Sequence, residues 1–232
     1  INSNYSKIQL NILDYKLNRG QESEGVYLES AMKSLSDAKN ISIKNPTFDK
    51  NFQEKILTLP DKMVALVHFG RSGTGLMHSL IDGHPEVSTL PSIYFSEYFD
   101  HSNWVKLISD GWDGMIDRFV AAYEVLFDAS SSVPVESKNR QLLHSIGKKE
   151  GMANVGDQRS EVLKVNKDLF KSELKYLTAR YAELDAFVFF ELVQMAYDKA
   201  INDYNSKSLV FYHIHNPDTY AQLNFINLNP NA

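Results

Sequence analysis

The stretch 64–87, VALVHFGRSGTGLMHSLIDGHPEV, constrains the fold of this chain more than any other. Residues 64–69 are a short, mostly apolar run of the kind that suits a strand buried on both faces. Residues 70–75 are a glycine-rich turn, and Leu76, Met77, Leu80 and Ile81 then recur at helical spacing. The order is strand, loop, helix. Asp82-Gly83 ends the helix, because glycine readily takes the left-handed conformation of a helix terminus, and Pro85 cannot continue it.

A helix begun directly after such a loop points unpaired backbone N–H groups, and the positive end of its dipole, into the crevice at the strand's carboxyl edge. Anions bind there. Gly70, Gly73 and Gly75 let the main chain approach a ligand closely, and Ser72 and Thr74 add hydroxyl donors. Arg71 adds a permanent charge with a planar fork suited to phosphate oxygens. The sequence argues against a Walker A loop, since no Gly-Lys followed by Ser or Thr comes after Gly70.

The core Arg71-Ser72-Gly73-Thr74, entered from a strand and followed by a helix, resembles the 5′-phosphosulfate loop of sulfotransferases that use 3′-phosphoadenosine 5′-phosphosulfate. The resemblance runs on to His84-Pro85-Glu86-Val87, a His-Pro-acidic-apolar ending also common in that family. One departure is Gly75, where family members often carry a second threonine, so one hydroxyl contact to phosphate is missing. The resemblance implies an α/β fold: a three-layer P-loop-like domain with a central parallel sheet flanked by helices. It implies the phosphosulfate nucleotide as co-substrate, held by Gly70, Arg71, Ser72, Gly73, Thr74 and Gly75, with no metal required.

Size and charge fit that frame. The 232 residues, 43% hydrophobic and 23% charged, are enough to bury a sizeable core as one domain. A net charge of −5 gives no broad basic footprint, which disfavours a nucleic-acid partner and makes any phosphate site local. The absence of cysteine excludes disulfides, thiolate metal ligands and a thiol nucleophile. No apolar run approaches the roughly 18 residues of a membrane span, and no signal pattern opens the chain. A soluble, cytoplasmic protein is the expectation. The chain starts at Ile1 and stops at Ala232, and reads as cut from something longer.

Ahead of the motif, Tyr5, Ile8, Ile12 and Tyr15 predict one helix, ended by Asn18-Arg19-Gly20, and Tyr27, Ala31, Leu35 and Ala38 predict a second. The pair resembles a helical-hairpin repeat unit, but no second copy follows. Residues 41–58 read as a connector with one short helix, so the expected division is a helical segment and connector over 1–60 and the α/β domain over 61–232. Behind the motif, 88–100 is a loop or short strand dense in aromatics. In several sulfotransferase subfamilies this region resembles the place of a glutamate base, and Glu97 is the nearest counterpart here.

Met115, Phe119, Ala122, Tyr123, Leu126 and Phe127 predict an amphipathic helix. Residues 129–135 and 147–159 read as loops, the second made locally basic by Lys148, Lys149 and Arg159. Helices are predicted again through Phe170, Leu174, Leu177 and Tyr181, and, after Asp185 as cap, through Phe187, Phe190, Met195 and Tyr197. Residues 208–215, SLVFYHIH, are the second candidate for a central strand, and ligands of doubly wound sheets sit where strands end.

Two alignments of His213-Ile214-His215-Asn216-Pro217-Asp218 to the family pattern compete. In one it stands for the 3′-phosphate motif, with His215 in place of an arginine and no serine where one is expected. In the preferred one it resembles the strand end whose histidine, two residues before a proline, is the catalytic base; His215 takes that part and His213 replaces a lysine. The 3′-phosphate strand is then expected after Ala232. The expected activity is sulfuryl transfer to a hydroxyl or amine of a small-molecule or glycan acceptor, with His215, His213 and Glu97 as the catalytic candidates. The alternatives are a non-catalytic nucleotide-binding or interaction domain that retains the loop, and an atypical nucleotide kinase.

Overall fold

The computed structural model describes residues 3–38, 41–49, 59–60, 62–68, 73–90, 98–99, 101–130, 157–158 and 160–215. Helices α1 (Ser3–Leu17) and α2 (Glu24–Ala38) form a hairpin, as their periodicity predicts. Its own small core joins Ile12, Tyr15 and Ala31, with Tyr27, Leu28 and Ile41 packed against it.

Strand β1 (Ile43–Lys44) then pairs antiparallel with β4 (Glu183–Leu184), so part of the expected connector is bound to the main body. Ile43 is buried in the large core, and Trp104 Nε1 donates a 2.8 Å hydrogen bond to the Ile41 carbonyl. Two residues per strand are too few to show a period, which is why the sequence reading left them irregular.

The principal sheet has three parallel strands: β2 (Lys62–His68), β3 (Val87–Thr89) and β5 (Leu209–His215), in the order β2-β5-β3. Helix α3 (Thr74–Ile81) carries the chain from β2 to β3 past the position that β5 fills. The fold is mixed α/β, with the sheet flanked by helices. Side chains alternate between faces along a strand, and β5 shows what covers each one. Phe211 meets the His78 ring of α3 edge-on at 6.0 Å. Tyr212, its neighbour of opposite parity, meets Phe190 at 5.1 Å and Phe99 at 5.4 Å. Phe190 belongs to α7 (Ala186–Ala200), so α3 and α7 lie on opposite faces.

β5 is central, with Val210, Phe211 and Tyr212 all buried. β2 differs from the expectation of a strand covered on both faces. It is the end strand among the described residues, and Val64, on the α3 side by parity, is 44% exposed. Three apolar positions of α3 are open as well: Leu76, Met77 and Leu80 are exposed, while Ile81 is half-buried and His78 reaches the sheet.

The core is assembled around α7. Phe189, Phe190, Leu192, Val193 and Ala196 of this helix are wholly buried, so it is apolar on most of its circumference, as a helix enclosed by other elements must be. Asp185 is its N-cap, accepting a 2.8 Å hydrogen bond from the Val188 amide, as expected from its position. Helix α6 (Lys167–Thr178), capped likewise by Asn166, brings Phe170 and Leu174 to the same core, but ends before Tyr181. Helix α4 (His101–Ile108) contributes Trp104 and Leu107.

Helix α5 (Met115–Ala122) is shorter than its apolar repeat, which continues through Tyr123 into a 3₁₀ turn at Glu124–Leu126. The apolar repeat continues across a change of helix type, because Leu126 and Phe127 still face the core. Among the described residues, no helix is long and apolar enough to cross a membrane.

Candidate functional site

The carboxyl ends of β2 and β5 define the place where the sequence motifs meet. The two strands pair in parallel with Leu66 level with His213, Val67 with Ile214, and His68 with His215. The two candidate strands of the sequence reading are thus immediate neighbours. The chain leaves β2 at His68 toward Gly70, Arg71 and Ser72, which lie outside the described residues, and α3 resumes at its cap, Gly73.

Gly73 has φ +80°, a left-handed conformation that favours glycine. Its carbonyl takes the Leu76 amide at 3.1 Å and the Met77 amide at 3.2 Å, which starts the helix. Among the described residues, no side chain caps this end. An α-helix offers no carbonyl to the N–H groups of its first residues, here Thr74 and Gly75, so these donors are available to an anion. A Cβ at Gly73 would meet nothing within 4 Å, so the glycine answers to backbone conformation and not to crowding.

The far end of α3 is firmly fixed. The Asp82 amide donates to the His78 carbonyl at 2.8 Å, Gly83 takes φ +77°, and the Val87 amide donates to the His84 carbonyl at 3.1 Å. Thr89 Oγ1 donates to Asp82 Oδ1 at 2.7 Å, joining β3 back to the helix end. The Ser208 and Leu209 amides both donate to the Glu86 carbonyl, which ties the start of β5 to the turn after α3. His78 itself is pulled below the usual histidine pKa by burial, against a smaller opposing effect of the Asp82 carboxylate. It packs on Phe211 from α3, about half-way along the helix from its N-terminal end.

Glu97 lies outside the described residues, but the two aromatics that follow it are well placed. Tyr98 and Phe99 are fully buried; the Tyr98 hydroxyl donates to the Ala186 carbonyl at 2.7 Å, and Phe99 packs on Tyr212 of β5. Phe99, two residues after Glu97 in the sequence, is thus anchored to the central strand. Of Thr74, Gly75, His213 and His215, the backbone is described; the basic residues Lys148, Lys149 and Arg159 fall outside the described residues.

His68 is a residue the sequence reading passed over. It sits next to last in the run 64–69, and the strand it pairs with lies more than half the chain away. Among the described residues, no group of three His, Cys, Asp or Glu side chains is placed to hold a metal ion. In comparisons with known proteins, no family model, no curated protein and no solved structure matches the chain.

Proposed function

We propose that this chain is the donor-binding part of a sulfotransferase of P-loop-like fold, using 3′-phosphoadenosine 5′-phosphosulfate and an acceptor hydroxyl or amine. The observation that supports this best is the parallel, in-register pairing of β2 with β5, which sets the strand end entering the Arg71-Ser72-Gly73-Thr74 loop beside the strand end carrying His215. Donor anchor and base then open into one crevice at the carboxyl edge of the sheet, the usual place for a ligand in such folds.

In this reading the Thr74 and Gly75 amides, Arg71, Ser72 and Thr74 bind the 5′-phosphosulfate. His215 takes the proton of the acceptor as its oxygen or nitrogen attacks sulfur. The bond between sulfur and the bridging oxygen breaks, and 3′-phosphoadenosine 5′-phosphate leaves with the charge that the loop neutralises. A general base contributes typically about 10²–10⁴-fold in rate. His213 orients its neighbour or holds the bridging oxygen, and Glu97 is the competing base.

The test is calorimetric titration of the protein with 3′-phosphoadenosine 5′-phosphate and with ATP, followed by transfer of labelled sulfate to a panel of small-molecule and glycan acceptors. Preference for the 3′-phosphorylated nucleotide together with acceptor-dependent turnover supports the reading. Nucleotide binding without turnover on any acceptor favours the non-catalytic domain, and preference for ATP points to a kinase.

A further inference from the structure

A stripe of buried polar side chains runs along α7. Glu191, Gln194 and Asp198 follow one another at i, i+3 and i+7, the spacing of a single helix face, and all three are buried. The two nearer the end of the helix meet Ser88 of β3, whose hydroxyl lies 2.7 Å from Asp198 Oδ2 and 3.3 Å from Gln194 Oε1. Thr89 stands level with Phe211 and so faces α3, whose end it reaches through Asp82; Ser88 points the other way, onto α7.

Two acceptors thus face one hydroxyl proton. An ionised carboxylate can only accept, so it takes that proton, and the hydroxyl is left able only to accept from Gln194. A protonated carboxyl reverses both bonds: it donates to Ser88, which gives its own proton to Gln194 Oε1. The Gln194 amide presents its oxygen to the hydroxyl, and among the described residues its Nε2, on a side chain 1% exposed, has no hydrogen-bond partner. Turning the amide over exchanges acceptor for donor within nearly the same shape.

We propose that Asp198, Ser88 and Gln194 form a proton-operated relay between α7 and β3, in which loss of the Asp198 proton reverses the Ser88 hydroxyl and turns the Gln194 amide over. The surroundings hold the relay near balance. Burial favours the protonated carboxyl, and Asp203 adds to it; Lys207, in the segment that enters β5, and more weakly Lys199 draw Asp198 toward the ionised form. Lys207 is itself committed, donating to Asp203 Oδ2 and to the His84 carbonyl. Tyr197, beside Asp198 in the chain, is pushed further from ionising by burial, Asp82 and Asp198, and donates to the Leu126 carbonyl at 2.8 Å. With the Asp198 pKa raised to about 7, the reversal falls near neutral pH.

The test is a titration of the full chain from about pH 5 to about pH 9 by NMR, following the Asp198 carboxyl carbon and the Gln194 side-chain NH₂ signals. The expected result is one step at Gln194 that shares the Asp198 midpoint, near 7. Ser88→Ala should abolish the Gln194 step and raise the Asp198 midpoint, since the lost hydrogen bond favoured the ionised form. Asp198→Asn should abolish the step too. Glu191→Gln, which removes the other carboxyl raised to about 7, should leave it in place. A variant that fails to fold does not block the test, because the two midpoints are compared in the wild type. Gln194 signals that stay flat across the Asp198 titration, an Asp198 midpoint near the ordinary value of about 4, or a step that survives Ser88→Ala would each overturn the proposal.

Discussion

Ser88 on β3 donates a 2.7 Å hydrogen bond to Asp198 Oδ2 on α7, and both residues are buried. A hydroxyl has one proton, and this short contact uses it; Gln194 Oε1, one helical turn away, lies 3.3 Å from the same hydroxyl. The bond favours the ionised carboxylate, as does Lys207, with Lys199 weaker and Asp203 opposing them, but burial outweighs them all and raises the Asp198 pKa to about 7. Glu191, one face of the same helix nearer its start, is raised to about 7 by burial and by the Asp185 carboxylate.

The stability of the protein should therefore fall between mildly acidic and mildly alkaline pH. Both carboxyls have folded-state pKa values above those of the unfolded chain, near 4, so the stability they contribute is complete below that value and is lost as pH rises through about 7. Even about 1 kcal/mol of this effect shifts the melting temperature of a chain of this size by about 2–4 °C. Calorimetric melting at pH 5.5 and pH 8 should show the lower midpoint at pH 8, and Asp198→Asn should raise the pH 8 midpoint and flatten the dependence. A wild-type midpoint that climbs steadily from pH 5.5 to 8 would contradict this account.

Two apolar residues should respond oppositely to truncation. Phe190 is wholly buried against Tyr98, Phe99 and Tyr212, and Phe190→Ala should cost about 3–5 kcal/mol in urea unfolding. Leu80 belongs to an apolar pattern just as legible, yet is 78% exposed, so Leu80→Ala should stay within about 0.5 kcal/mol. A large loss at Leu80 would mean that α3 is covered in solution.

Gly73→Ala isolates backbone conformation from packing, because there is room for the methyl group but not the φ to suit it. The expected cost is about 1–2 kcal/mol, appearing as lower stability or as weaker nucleotide binding where the loop relaxes. Equal stability and equal affinity would show that the loop does not need this conformation.

The catalytic assignments separate by kinetics. Arg71→Ala should weaken binding of 3′-phosphoadenosine 5′-phosphate by about 1.5–3 kcal/mol, the size of a charge-assisted hydrogen bond. His215→Ala should lower kcat by at least about 10²-fold with donor affinity nearly intact. Should Glu97→Ala abolish turnover while His215→Ala retains it, the base is the glutamate.

What the sequence disclosed was what is local. The apolar runs of β2 and β5, the Asp82-Gly83 stop and the Asp185 cap each depend on neighbours within a few residues, and each is where the pattern puts it. What it withheld depends on distant partners. Nothing in 64–69 says that β2 stands at the end of the described sheet with Val64 uncovered, nor that β5 fills the gap between β2 and β3. The β1–β4 pair rests on contacts between Ile43 and Leu184, too short on either side to leave a period. Helix α4 was missed for a different reason: its core residues Trp104 and Leu107 span a single turn. The site was legible as two strand ends; that they adjoin, with His68 level with His215, was not.

The pairing of β2 with β5 also sets the order in which this molecule can come into being. Closing so long a loop costs entropy that only the finished contact repays, so sheets of this kind form late. During synthesis β2 and α3 emerge while their central strand is still unmade, and the strand entering the glycine loop waits for that neighbour until residues 209–215 are made. On the proposed reading, nucleotide affinity should therefore appear in growing chains only once residues 209–215 clear the ribosome, and would report the pairing of β2 with β5.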